Sequence, residues 1–327
     1  MSWRTIATAA LVLALAWGGA TPAEAQKKRL SMGCTATASS HFAYCVGQAK
    51  AINTMVPEVD VTVVETGATV DNLRRMLKST IDYGLITNEQ VYLAQRGEAT
   101  WKDNPFPDVR NLWYYTVSAV YIIVREEAGI KALADLGGKK FSPGFRGSAT
   151  EKMTETTLTH LGIKADWVRG GASDLVDAIK DKRIVGYAKA ADGFRLDASM
   201  MDIATTSPIR VLGFSDEQVK KVKEQYPYFP WVRVPANSVK GMGEFWAEAV
   251  VVGFAAPKSL PNDVAYKLVK AVMEDKEHQR GAFKGMADDM AKVTLEQSLA
   301  PLHAGAIKYF REKGLKIPDQ LIPAEAK

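Results

Sequence analysis

Two side chains near the start of the chain have the types and spacing of a nucleophile pair. His41 and Cys45 stand four residues apart, which places both on one face of a helix and lets an imidazole draw a thiolate from the cysteine. No third residue to orient the imidazole is identifiable, and Cys45 falls within an apolar stripe. A Cys/His hydrolase is therefore only a rival reading. Metal chemistry has less to work with: the histidines are His41, His160, His278 and His303, no two of them at ligand spacing. No metal or organic cofactor is implied.

Binding chemistry is better provided for. Three short runs are rich in small and hydroxyl residues, at 35–40, 66–69 and 147–150, and each precedes a segment of helical periodicity. Small residues let backbone N–H groups approach a ligand, and the unsatisfied N–H groups and dipole of a helix start favour an anion. The third run continues as Ser148-Ala149-Thr150-Glu151, the S-x-x-E pattern of a capping box.

The elements that would position these runs alternate. Segment 28–34 reads as a strand, followed by a helix with Phe42, Cys45, Val46, Ala49 and Ile52 on one face. Strands follow at 61–65 and 83–86, with a helix between them that carries Val70, Leu73 and Leu77. Segment 111–125 is aromatic and β-branched throughout and reads as one long strand. A second alternating unit starts at 139–142 and continues through strands at 184–188 and 209–214. Segment 246–256 is a second long apolar stretch that carries the chain back, and the tail from Pro261 is mostly amphipathic helix. Two α/β units, two long connecting strands and a helical return predict an α/β protein with two lobes and a cleft between them. In such sheets ligands sit at the carboxyl ends of the strands. The expected division is 26–118 with 252–327 in lobe I, and 119–251 in lobe II.

The chain has 327 residues, 47% of them hydrophobic and 24% charged, which excludes disorder and a small disulfide scaffold. Its net charge of +5 is not concentrated in any run, so a nucleic-acid partner is not expected. Arg4, the apolar stretch 6–17 and Ala23-Glu24-Ala25 make a secretory signal peptide at 1–25, cleaved after Ala25. The apolar stretch is shorter than the roughly 20 residues of a spanning helix. Export, most simply to a bacterial periplasm, would allow Cys34 and Cys45 to pair. Cys34 reads as a strand end and Cys45 as more than a turn into the next helix, so the expectation is two buried free thiols, with a disulfide as the alternative.

The order of motifs resembles the extracytoplasmic receptor of TAXI-type TRAP transporters. The family's opening G-T-G-x-x-G-G-T-Y-Y-like loop is held here by residues 33–42, with His41 in an aromatic place. T-G-x-S/T-V-x-N-L-R appears at 66–74, D-x-x-L-x-x-S/N at 82–88, G-x-x-S-L-A-D-L-x-G-K at 129–139 with Ala132 in the serine place, and x-G-S-x-T-E at 146–151. The tail pattern L-H-x-G-A-x-x-Y-x-R-E-K-G runs from Leu302 to Gly314. The resemblance spans nearly the whole mature chain. It implies a monomeric periplasmic receptor of type II binding-protein fold that performs no chemistry. Such a receptor captures a small carboxylate or amino acid, of the glutamate-like class, and hands it to a TRAP membrane permease subunit. A binding protein that serves a sensor kinase would look the same in sequence.

The resemblance also selects residues. Thr37, Ser39, Ser40, His41 and Phe42 would line the cleft from the first loop, with Thr66 and Thr69 from the second and Asn88 from the end of the third strand. Tyr114 would floor the pocket. Arg146, Ser148, Ala149 and Thr150 would present an anion site from lobe II. Segment 190–195 departs from the family's G-x-P; its Asp192 and Arg195 carry opposite charges that suit a zwitterion. Asn72 would hold its loop through backbone hydrogen bonds, and His303 would hydrogen-bond a helix start.

Overall fold

The structure is a computed structural model and describes residues 27–327. The signal-peptide expectation falls on residues outside it. In chain order, β1 (Lys28–Gly33), α1 (Ser40–Met55), β2 (Val59–Val64), α2 (Thr69–Leu77), β3 (Tyr83–Thr87) and α3 (Asn88–Arg96) form the first unit. β1 lies parallel between β2 and β3. The long strand β4 (Val109–Arg125) follows, buried along almost its whole length.

The second unit comprises β5 (Lys140–Ser142), α4 (Ala149–His160), β6 (Asp166–Trp167), α5 (Ala172–Lys180), β7 (Gly186–Ala190) and α6 (Ala198–Thr206). β8 (Ile209–Leu212), α7 (Asp216–Gln225) and β9 (Trp231–Val234) extend it. β10 (Phe245–Pro257) then returns antiparallel along β4. Helices α8 (Asn262–Glu274), α9 (His278–Ala282), α10 (Met290–Gln297) and α11 (Ala304–Glu312) close the first lobe. The helix α6, the helix α7 and the strand β9 were not anticipated from the sequence.

The strand order is β2-β1-β3-β10-β4-β7-β5-β6. β3 pairs with the end of β10 at Val252–Ala255, whereas β7 and β8 pair with the end of β4 from Val120 onward. β4 and β10 are therefore common to both halves, and the ladder changes neighbours near Ser118 and Val250. Gly253 sits at a register shift in this ladder; a Cβ there would run into the Trp113 carbonyl oxygen, so only glycine lets the two strands approach.

Two sequence expectations need correcting. The first concerns helix faces. Val46 is 48% exposed and Leu77 39% exposed, while His41, Gln48 and Met76 are buried. On α1 the buried face takes in polar residues because neighbouring segments cover it: Tyr115 and Ala191 bond His41, and Gln48 donates to Met32 Sδ at 3.0 Å. The second concerns the thiols. Cys34 and Cys45 form a disulfide, with Cα atoms 6.3 Å apart. The loop between β1 and α1 folds the helix back over the strand end, which brings positions that are distant along the elements within bridging range. With Cys45 oxidised, the His41–Cys45 pair has no thiolate, and the hydrolase reading loses its nucleophile.

Candidate functional site

Three helix starts meet at one buried cavity. The β1–α1 loop brings Thr35, Ser39 and His41; α2 brings Ala68 and Thr69; α4 brings Ser148, Ala149 and Thr150. Phe145 and Lys189 from the second lobe complete the wall, with Val250 and Val252 of β10 behind them. The cavity has a volume of about 40 Å³, room for a few waters when one needs about 10–15 Å³. No acidic residue lines it.

Local hydrogen bonds set these loops. Asn72 Nδ2 donates to the carbonyls of Cys34 at 2.8 Å and Leu85 at 2.9 Å, and its Oδ1 accepts from Thr66 Oγ1 at 2.7 Å. One side chain thus ties together the ends of β1, β3 and the 66–69 turn. Ser148 caps α4, its Oγ accepting from Glu151 N at 3.1 Å. Glu151 reaches back to Gly147 N rather than to the cap residue itself, so only half of the capping box forms. This leaves the first-turn N–H groups of Ala149 and Thr150 at the cavity wall.

The electrostatic centre is a lysine. Lys189 is 6% exposed. Its Nζ donates to Ser39 Oγ at 3.0 Å and to the Ala190 carbonyl at 3.1 Å, and lies 3.4 Å from Asp197 Oδ2. Asp197 is fully buried. It accepts from Ser40 N at 2.8 Å, from Ser199 N at 3.1 Å and from the Ser199 hydroxyl at 2.5 Å. Burial disfavours its charge, yet the Lys189 ammonium and the Ser199 hydroxyl hold its carboxyl below the usual range. His41 is pushed down to about 3, first by burial and then by the positive charge of Lys189. Its Nδ1 accepts from Tyr115 OH at 2.6 Å, and its Nε2–H donates to the Ala191 carbonyl at 3.1 Å. The ring is therefore neutral with the proton on Nε2.

These bonds also hold the lobes shut. Val70 N and Asp71 N of α2 donate to the Gly147 carbonyl at 2.9 and 3.3 Å. Ala198 N donates to Ser40 Oγ at 2.9 Å, and Gly285 N to Asp192 Oδ1 at 2.6 Å. These bonds bridge the two halves across the cleft.

The cavity gathers six of the residues selected from sequence: Ser39, His41, Thr69, Ser148, Ala149 and Thr150. The others lie elsewhere. Thr37 is exposed, its N–H bonded to Glu65. Ser40 faces Asp197 and Ala198, and Phe42 packs half-buried on the core. Thr66 is spent on Cys34 and Asn72. Asn88 turns away to the Gln297 carbonyl, leaving its neighbour Thr87 at the wall. Tyr114 bonds Asn111, and the adjacent Tyr115 points the other way, to His41. Arg146 is exposed at the cleft mouth, beside Arg74 and Arg169. Asp192 and Arg195 close a tight turn with paired backbone bonds of 2.9 and 3.0 Å, outside the cavity.

Lys189 and Phe145 were not selected. Phe145 stacks on Tyr187 with centroids 5.7 Å apart, and Lys189 Nζ lies 5.5 Å from its ring centroid. One signal was available: Lys189 is the lone charge in the otherwise apolar segment 184–191. A cation in a buried strand demands a partner.

The model of the NMT1-like family matches residues 32–314. Among solved structures, one described as a periplasmic transporter matches with a TM-score of 0.54 at 15% identity, over 91% of this chain and 100% of that one. A protein from Bordetella bronchiseptica RB50 matches with a TM-score of 0.53 at 14% identity, over 90% and 91%. The ligand-binding component of an ABC-type import system from Staphylococcus aureus matches at 0.50 and 12% identity, over 92% and 100%. At these identities the likeness is one of fold, the two-lobed type II binding-protein fold.

Proposed function

The chain belongs to the NMT1-like family of substrate-binding proteins rather than enzymes, and from that premise we propose that it captures a small organic carboxylate by closing its two lobes and delivers it to a membrane transporter. One observation carries the reading: helix starts from both lobes and a buried lysine converge on a single cavity lined by no acidic residue. A carboxylate there would accept from the Ala149 and Thr150 N–H groups on one side and from Thr69 on the other. Lys189 would supply the counter-charge, trading its bond to Ser39 for the ligand. Only the closed form offers both sets of contacts, so ligand favours closure.

We divide the chain at 118/119 and 251/252, with the hinge in β4 and β10. The order of the six motifs favours a TAXI-type TRAP permease as the recipient. The signal-like N-terminus and the Cys34–Cys45 disulfide favour an oxidising periplasm and cleavage after Ala25. Among the described residues no helix is long and apolar enough to cross a membrane. An amino acid is the competing ligand class; its ammonium would have to rest on backbone carbonyls.

A thermal-shift screen of residues 26–327 tests the proposal, with monocarboxylates, dicarboxylates, 2-oxoacids and amino acids in millimolar excess. Ligand at 100 times its dissociation constant adds about 2.7 kcal/mol to stability. The expected hit is a carboxylate whose 2-amino analogue shifts the transition less. A panel that is flat both before and after unfolding and refolding would sink the carboxylate class. A hit confined to amino acids would replace it.

A further inference from the structure

Two acids behind the cavity have no counter-charge. Glu89, at the start of α3, and Glu248, on β10, are both fully buried. Glu89 accepts from Thr87 Oγ1 at 2.7 Å, and Glu248 from Thr154 Oγ1 at 2.8 Å. Each keeps one carboxyl oxygen buried with no partner, Oε2 of Glu89 and Oε1 of Glu248. They belong to opposite lobes. Glu89 extends the β3 end, whereas Glu248 is held by α4 and paired in the sheet with Trp231. Glu89 and Tyr92 stand three residues apart on α3, on the side of that helix that meets the second lobe at a seam. The same seam brings Tyr92 of α3 against Tyr228 of the second lobe, with centroids 5.8 Å apart.

The groups facing this pair are few. Around Glu89 they are the Thr87 hydroxyl, the phenols of Tyr114 from β4 and Tyr228 from the segment before β9, and Glu248 from β10. Around Glu248 they are Thr154 and Thr157 of α4 and Glu89 itself. Among the described residues no lysine, arginine or histidine pairs with either carboxyl. An ionised carboxylate buried without a cation is costly, and protonation removes the cost.

We propose that closing the cleft takes up protons on Glu89 and Glu248, so that solute capture is favoured by acid and release by a rise in pH. The inference regulates the site described above and rests on its hinge-closure reading. Opening the seam would return both carboxyls to water, where they titrate near the ordinary value of about 4.3. In the closed form burial raises each to about 7, with Glu248 adding like-charge repulsion at Glu89. The closed form therefore binds more protons than the open one between those limits, and closure weakens as pH rises through that window. The ratio of closed to open changes about tenfold for each acid between pH 6 and pH 8.

The test needs no ligand. Nitroxide labels on Lys50→Cys and Asp181→Cys, both exposed positions on different lobes, report the interlobe distance by electron double resonance. In the parent protein the short-distance population should grow as pH falls from 8 to 6. In Glu89→Gln/Glu248→Gln, which mimics the protonated pair, it should be high and insensitive to pH. A distance distribution unchanged by pH in the parent overturns the proposal without touching the solute reading, which the ligand screen judges separately. Unaltered pH sensitivity in the double variant also overturns it, because another group would then be responsible.

Discussion

Lys189 Nζ donates to Ser39 Oγ across the cleft at 3.0 Å, joining residues 150 positions apart in the chain. This bond links the β7 strand of one lobe to the cap of α1 in the other. It places the only buried ammonium of the cavity wall where a ligand carboxylate would arrive. The same ammonium neutralises Asp197, so the proposed anion binding and lobe closure would draw on one side chain.

Removing that ammonium should separate the two roles. Lys189→Met should abolish carboxylate binding and also destabilise the fold by about 3–5 kcal/mol, because Asp197 is left buried and unpaired. Lys189→Met/Asp197→Asn should recover much of the stability but none of the binding. Chemical denaturation and calorimetry on the two variants check this. Recovered binding in the double variant would show that the lysine serves the fold alone.

Plugging the cavity should act chiefly on binding. Ser148→Trp puts an indole at the α4 start and should eliminate the thermal shift given by any hit. The cap would be lost with it, at a cost of about 1 kcal/mol. Normal binding by this variant would place the ligand elsewhere.

In the proposed closure Gly285 and Gly193 meet back to back. A Cβ on Gly285 would meet the Asp192 carbonyl carbon at 2.6 Å and come closer still to Gly193 N. The three atoms nearest that Cβ all belong to Asp192 and Gly193 of the opposite lobe. Gly285→Ala should therefore leave the melting temperature nearly unchanged while weakening ligand binding at least tenfold, since about 1.4 kcal/mol of closed-form strain already gives that factor. Isothermal titration against the hit decides; an unchanged affinity would mean the 192–193 contact is not needed for capture.

The disulfide should stabilise the binding loop. It closes a short loop, with a sequence separation of 11, which on chain-entropy grounds is worth about 3 kcal/mol. Cys34→Ala/Cys45→Ala should melt earlier, and exchange of the backbone amides at 35–41 should speed up more than exchange in α5. Equal changes in both segments would make the bridge a global staple only.

The imidazoles set the acid side of stability. His41 is lowered to about 3 by burial and by Lys189, and His303 to about 4 chiefly by burial. An unfolded histidine titrates near 6.5. The unfolded chain thus binds more protons below that value, and stability contributed by the two neutral rings is lost as pH falls from about 6.5 toward about 4. Nitrogen-15 spectra should show His41 neutral and protonated on Nε2 throughout this range. Titration of His41 near 6.5 in the folded protein would contradict the closed geometry.

Much of the molecule was written in local sequence. The alternation of strands and helices in the two units and the Ser148 cap follow from periodicity and short-range hydrogen bonding, whereas the loop-holding role of Asn72 and the cap formed by His303 Nδ1 on Gly305 N were implied by the family resemblance. The anion-ready helix starts were legible for the same reason, because they are set by residues next to each other in the chain. Tertiary structure decided the rest. Whether Cys34 and Cys45 meet depends on how α1 folds back over β1. Which tyrosine of β4 faces the site depends on strand register, and Tyr115 rather than Tyr114 has it. That Lys189 is a cleft residue, that Asp192 belongs to a latch and that Glu89 shares a seam with Glu248 depend on lobe closure. Closure brings together residues separated by 76 to 159 positions. Such pairings leave no periodic trace, because burial at a lobe seam is imposed by the opposite lobe and not by the element that carries the residue.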